Sequence, residues 1–380
     1  MVALSFPLWT GSQAFPRVPT FPELPDLEGP PAVAWFRALA LLGSLVTAAA
    51  ARRGFLRQSA SLVGFGLLAW SFVADIERLQ PWAQHAALAL LASAALPADL
   101  ALVAVRAGII SIYLYSGASK LDHSFATEIG PLLLGGLLEP LGIDPMRLGW
   151  FASRLAVLSM PLGELLVGIL LMRRRTRAIG VVGSVIMHAT LIAILNPWNL
   201  GHSGLVSIWN ALLAIEVLVV FGAPWTIAES LPPLSSIPFR SLGAAALLSV
   251  SLIAPAFEPL GWVDPWPAHA LYAGHVGRVR VLFGDRADDL PEAMRSGIRR
   301  VDESTFILDL TAWSRSIRGV PVYPGIRANL RLASQVAPIL ARNGWVRIEV
   351  DSRAARLSGR RSRLAFHGLD EIARARHDGR

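Results

Sequence analysis

An all-α transmembrane bundle followed by a small soluble α+β domain is the fold class this sequence predicts. Three observations carry the prediction. Hydrophobic residues make up 53% of the 380 and charged residues only 16%, against roughly 25% charged in ordinary soluble domains. The apolar stretches are unevenly placed: before Gly261 they follow one another, and after it Arg, Asp and Glu return to soluble frequencies. The net charge of +8 sits in that tail, where Arg278 to Arg380 holds 20 Arg against 12 Asp and Glu.

Residues 1–31 read as a proline-rich N-terminal tail. They lack the basic start and apolar core of a cleavable signal, so the first apolar stretch reads as a retained span. A hydrocarbon core about 30 Å thick needs about 20 helical residues. The bundle, 32–257, offers about eight such stretches: 32–51, 58–75, 83–96, 99–119, 151–172, 177–195, 203–223 and 241–257. The third is short. Pro97 ends it, and Asp99 is the expected N-cap of the fourth. Arg52, Arg53 and Arg57 follow the first span; Arg173, Arg174, Arg175 and Arg177 follow the fifth. Short Arg-rich loops stay cytoplasmic. Four crossings between the two loops meet that rule and place the N-terminus and the C-terminal domain outside, on the periplasmic face of an inner membrane. Trp82, Trp150, Trp198, Trp262 and Trp266 then fall at outer boundaries, where indole rings favour the interface.

The soluble domain, 258–380, is expected to contain strands at 278–283, 305–310 and 345–350. A helix is expected where Leu330, Ala333, Val336, Ile339 and Leu340 recur at helical spacing. It carries no phosphate loop, metal-ligand spacing or nucleophile motif, and so reads as a module that docks a protein partner. Its basic residues are not interleaved with aromatics as in nucleic-acid binders; the expected surroundings are lipid, not nucleic acid. The absence of cysteine removes disulfides and thiol chemistry.

Ionisable groups inside spans are costly and face the bundle interior. At 1.5 Å per residue, Arg106, Glu164 and Glu216 all lie roughly 10–12 Å from the cytoplasmic boundary. Arg106 with Glu164 or Glu216 is the expected buried pair. His188 and Asn210 fall near mid-membrane. No second His stands at i+3 or i+4 of His188, which argues against a helix-borne metal pair. The outer rim is richer. The run Tyr113 to His123 (YLYSGASKLDH) ends the fourth span and contains Lys120, the only lysine in the chain. Unlike Arg, a desolvated Lys can lose its proton and act as base or nucleophile; the plainer alternative is a snorkelling cation paired with Asp122. The loop Asn196 to Ser203, with Asn199 and His202, lies on the same side. His202 is a candidate to join Lys120, Asp122 and His123 in a catalytic cluster.

The run YLYSGASKLD resembles the small-residue-then-Lys-Leu motif of DoxX and MauE-like membrane proteins and the related HTTM segment of vitamin K-dependent carboxylase-like proteins. The runs PLGELLVGIL, HATLIAILNPWNLGHSGLVSIWN and DPWPAHALYA resemble bacterial multi-pass proteins of the same neighbourhood, over roughly residues 100–275. The resemblance implies a helical bundle with an accessory or maturation role. From the carboxylase side it implies a quinone-type lipid cofactor, with Lys120 as base. A third possibility from the residues is a transporter using the Arg106, Glu164 and Glu216 layer.

Overall fold

The structure is a computed structural model that describes residues 1–11, 14–23, 27–222, 241–284 and 290–377. Residue 223, the expected end of the seventh span, lies outside them. In chain order the helices are α1 (Phe6–Thr10), α2 (Pro31–Ala50), α3 (Gly54–Ala74), α4 (Pro81–Ala95), α5 (Ala98–Ser119), α6 (Gly130–Leu138), α7 (Gly149–Met172), α8 (Arg177–Leu195), α9 (Gly204–Gly222) and α10 (Leu242–Ile253). There follow β1 (Arg278–Gly284), α11 (Glu292–Arg295), β2 (Ile298–Arg300), β3 (Thr305–Leu308), α12 (Leu310–Arg318), α13 (Ile326–Leu340), β4 (Val346–Asp351), β5 (Arg363–His367) and α14 (Gly368–His377).

Among the described residues, six helices are long and apolar enough to cross a membrane: Pro31–Ala50, Ala98–Ser119, Pro145–Met172, Arg177–Leu195, Gly204–Gly222 and Leu242–Leu260. Large apolar side chains stand on their outer surfaces, among them Phe36, Leu155, Ile186 and Val219. That pattern is compatible with a multi-pass membrane protein. α3 is of similar length but less apolar, and α4 has only 15 residues. The expected cap at Asp99 shifts: Pro97 is the N-cap of α5, and Asp99 stands in its first turn, where an acid suits the helix dipole.

The chain divides into two compact units. The first comprises Met1, Ala40–Ala69 and Pro81–Gly274. Its helices approach through glycine. A Cβ on Gly117 of α5 would lie 2.8 Å from the Pro161 carbonyl oxygen of α7, and one on Gly168 of α7 would lie 2.8 Å from Leu114. α6, which the sequence pattern did not reveal, is a short apolar helix led in by a π-helical turn at Phe125–Ile129. Leu133 and Leu134 of α6 pack with Phe125, Val157, Ile194 and Leu195.

The second unit comprises Val2–Leu39, Trp70–Gln80 and His275–Arg380. Its sheet has strand order β2-β3-β1-β4-β5, and every neighbouring pair is antiparallel. The alternation expected of β1 is visible in register: Val281 stands opposite Ile348 and Leu308, and Phe283 opposite Val346 and Phe306. The expected strand 305–310 stops early because Asp309 caps α12, its Oδ1 accepting from the Ala312 amide at 2.9 Å. The proline-rich segment is no separate tail. Gln335 of α13 donates to the Arg17 carbonyl at 2.9 Å, and the Phe15 and Trp313 rings lie 4.3 Å apart. Residues 18–20 also run beside 72–76, with Ile76 donating to the Val18 carbonyl and Thr20 to the Val73 carbonyl.

Candidate functional site

In the first unit the polar side chains of the apolar helices find one another. α5 places Tyr113, Ser116 and Lys120 at i, i+3 and i+7, which is one helical face. Lys120 Nζ lies 2.7 Å from Ser116 Oγ and 2.7 Å from both carboxylate oxygens of Glu164 on α7. Lys120 is 4% exposed and Glu164 9%. Three oxygens around Nζ match the three donors of an ammonium. The Lys120–Asp122 pairing considered from the sequence is therefore replaced by Lys120–Glu164. The Asp122 carboxylate instead accepts from the Phe125 amide at 2.6 Å, holding the turn that follows α5.

About two helical turns before Lys120, the Tyr113 hydroxyl lies 2.8 Å from His188 Nε2 and 2.8 Å from Ser184 Oγ, both on α8. His188 Nδ1 lies 2.9 Å from Asn210 Oδ1 on α9, and Asn210 Nδ2 donates to the Val206 carbonyl at 2.8 Å. That last bond fixes the amide: Oδ1 must accept, so His188 carries its proton on Nδ1. Nε2 then accepts from Tyr113, and Tyr113 accepts from Ser184. His188 is thus a fully bonded packing histidine.

Glu216 of α9 pairs with His85 of α4, Nε2 lying 3.0 and 2.9 Å from the two carboxylate oxygens. His85 carried no signal in the sequence, because it stands alone among alanines and leucines. Arg106 does not make the expected ion pair with Glu164 or Glu216. Its Nε and Nη2 donate to the Val220 carbonyl at 3.1 and 2.9 Å, and its guanidinium stands 5.7 Å from the centre of the Phe221 ring. Each carboxylate has a closer partner on another helix, Lys120 for Glu164 and His85 for Glu216, and Arg106 takes up a backbone carbonyl at the end of α9. The shared charge layer divides into two separate pairs.

The outer-rim cluster is likewise distributed. His202 meets Tyr272 edge to face, with ring centres 5.6 Å apart. Asn199 donates to the Gly136 carbonyl at 2.7 Å and so ties the α8–α9 loop to α6. His123 is exposed. Lys120, Asp122, His123 and His202 therefore have four different surroundings. Among the described residues no group of three His, Asp or Glu is placed to hold a metal ion.

These observations define a bundle of apolar helices clamped by buried polar pairs, with an antiparallel sheet unit in the same chain. Compared with known proteins, the chain matches no family model, no curated protein and no solved structure.

Proposed function

We propose that this chain is a multi-pass protein of the inner membrane, of DoxX/HTTM-like type, that works as an accessory protein and docks a partner through its C-terminal unit. Eight crossings are proposed, the six apolar helices with α3 and α4. α4 is about 22 Å long at 1.5 Å per residue, which is short for a hydrocarbon core of about 30 Å. The arginine loops support counting it. Arg52 and Arg53 lie between α2 and α3, and Arg173 to Arg175 between α7 and α8. With the nine-residue α6 not crossing, α3, α4, α5 and α7 give the even number that keeps both loops cytoplasmic. The termini are then periplasmic. A reporter fused after Arg380 tests this: periplasmic activity is expected, and cytoplasmic activity would reverse it.

The single observation behind the accessory role is the bonding of Lys120. The competing reading, a base acting on a quinone-type lipid, requires Nζ to leave Glu164 and Ser116 first. Support for docking comes from β5, a strand at the sheet edge with Leu364 exposed, beside a loop whose Leu357 is 95% exposed. Edge strands offer unpaired backbone groups to another chain. Lys120→Arg and Lys120→Ala in the native host, with lipid and quinone profiling, separate the readings. Unchanged profiles at normal protein level support the accessory role; a changed quinone or lipid pool in Lys120→Arg supports the enzyme.

A further inference from the structure

A second histidine stands near the His85–Glu216 pair. The segment after α10 folds back through tight turns, with the Ala270 amide donating to the Pro265 carbonyl at 2.8 Å and the His269 amide to the Trp266 carbonyl at 2.9 Å. Within it His269 has φ +56°, a conformation that costs free energy for a residue other than glycine. This backbone conformation places the imidazole in the interior, where it is 2% exposed and its Nδ1 has no hydrogen-bond partner among the described residues. The neighbouring Gln84 secures the turn by donating to the Pro267 carbonyl at 3.1 Å. His85 and His269 line the same cavity of about 20 Å³, with Ser111 of α5 and Ser251 of α10. A space of that size holds about one water, and four polar side chains are enough for the two to four bonds a buried water makes. The two hydroxyls already donate to their own helices, to Gly108 and Leu247 carbonyls, so their oxygens are left to accept.

We propose that His85, Glu216 and His269, with one buried water, form a proton-binding site inside the bundle. The ligand is a proton, shared between His85 Nε2 and the Glu216 carboxylate and exchanged through the water. Burial first, and then the neighbouring His85, push the His269 imidazole down to about 3. His269 therefore stays neutral and serves as the water's hydrogen-bond partner, while the mobile charge stays on the pair. The surroundings suit this division. α10 brings no ionisable side chain. α5 brings Tyr113, within electrostatic range of Glu216, and Arg106, committed to the Val220 carbonyl one turn beyond Glu216 on α9. His85 is the only ionisable residue of α4. The site rests on the geometry of the bundle and not on the accessory role proposed above.

The test is an infrared pH titration of the full chain in lipid nanodiscs. The pair should titrate in two coupled steps, with a protonated-carboxyl band growing as pH falls. Glu216→Gln, which keeps the shape, should lose that band; Glu216→Asp should retain it at a shifted position. His85→Gln keeps a hydrogen bond but holds no proton, and should reduce the two steps to one. His269→Phe should move the steps without removing either. Persistence of the same titrating band in Glu216→Gln, or an unaltered two-step profile in His85→Gln, would overturn the proposal.

Discussion

The two units bury charge in different ways. In the apolar helices two carboxylates each meet a single partner on another helix, Glu164 with Lys120 and Glu216 with the His85 imidazole, while Arg106 takes a backbone carbonyl. In the second unit the carboxylates are shared or crowded. Glu28 lies between Arg37 and Arg78, and Arg78, which is fully buried, grips it through two bonds of 2.7 and 2.8 Å while also donating to the Leu8 carbonyl. Glu77 accepts from Arg318 and from the Tyr323 amide on one oxygen, close to Asp75. A one-to-one pair has no reserve, so removing one member leaves a bare charge in an apolar setting. A shared carboxylate keeps a second partner.

The largest expected effect follows from that contrast. Lys120→Met strands Glu164 and should cost about 3–5 kcal/mol, whereas the double change Lys120→Met with Glu164→Leu should recover most of it. In the second unit Arg78→Met leaves Arg37 beside Glu28, so its cost should be smaller. Thermal unfolding of the purified chain in detergent compares the three variants. Equal losses for Lys120→Met and the double variant would remove the distinction between paired and shared charge. Next in size, Gly117→Ala places a methyl against the Pro161 carbonyl and should cost about 1–3 kcal/mol by overpacking α5 against α7. Gly163→Ala, at a position with open space around it, is its control and should be near neutral.

The pH dependence sharpens the comparison within the second unit. Burial raises the Glu28 carboxyl, but the hydrogen bonds and charges of Arg78 and Arg37 outweigh it and bring the group down to about 2. Its contribution is present above the ordinary value of 4.5 and is lost as pH falls toward 2. Glu77 runs the other way: burial pushes it up to about 7, with Asp75 adding to the rise and Arg318 opposing it. The folded state then binds the proton more tightly than the unfolded chain, so stability falls as pH rises from about 4.5 to about 7. Unfolding midpoints across that window should decline in the wild type and flatten in Glu77→Gln. A decline that survives the substitution would assign the dependence to other groups.

The same contrast explains what the sequence made legible. Apolar length and Arg-rich loops mark elements one at a time, so the long helices, β1, β4 and α13 could be read locally. The ionisable residues Lys120, Glu164, Glu216 and His188 stood out because each interrupts an apolar run. Which of them pair, and with what, did not, because the bonds join residues as far as 131 positions apart. Glu164 was matched to Arg106 by counting residues from the helix ends, but α5 and α7 pack offset: Gly117 faces Pro161 and Leu165, which brings Glu164 level with Lys120, 14 residues along α5 from Arg106. His269 was hidden for a different reason: the positive φ at a histidine and at Tyr272 has no local signature as it would at glycine. The packing of residues 14–20 on α12 and α13 joins the two ends of the chain, and nothing in a proline-rich stretch announces it.

The smallest effect belongs where charge meets water. On the sheet of the second unit, Arg299 Nη2 lies 2.8 Å from Asp309 Oδ2, but the arginine side chain is 67% exposed. Solvent screens the attraction, and holding a long side chain in one geometry offsets part of the gain. Asp309 is already engaged as the N-cap of α12, so loss of the arginine leaves it satisfied. Arg299→Ala should therefore change stability by only about 0.2–1 kcal/mol, and added salt should shrink even that difference. Asp309→Ala removes both the ion pair and the cap and should cost more, about 0.5–2 kcal/mol from the cap alone. Denaturant unfolding of the two variants at low and high salt measures this. A loss for Arg299→Ala as large as that for Lys120→Met would mean that exposure does not set the value of a charge pair in this protein, and the contrast between its two units would fall.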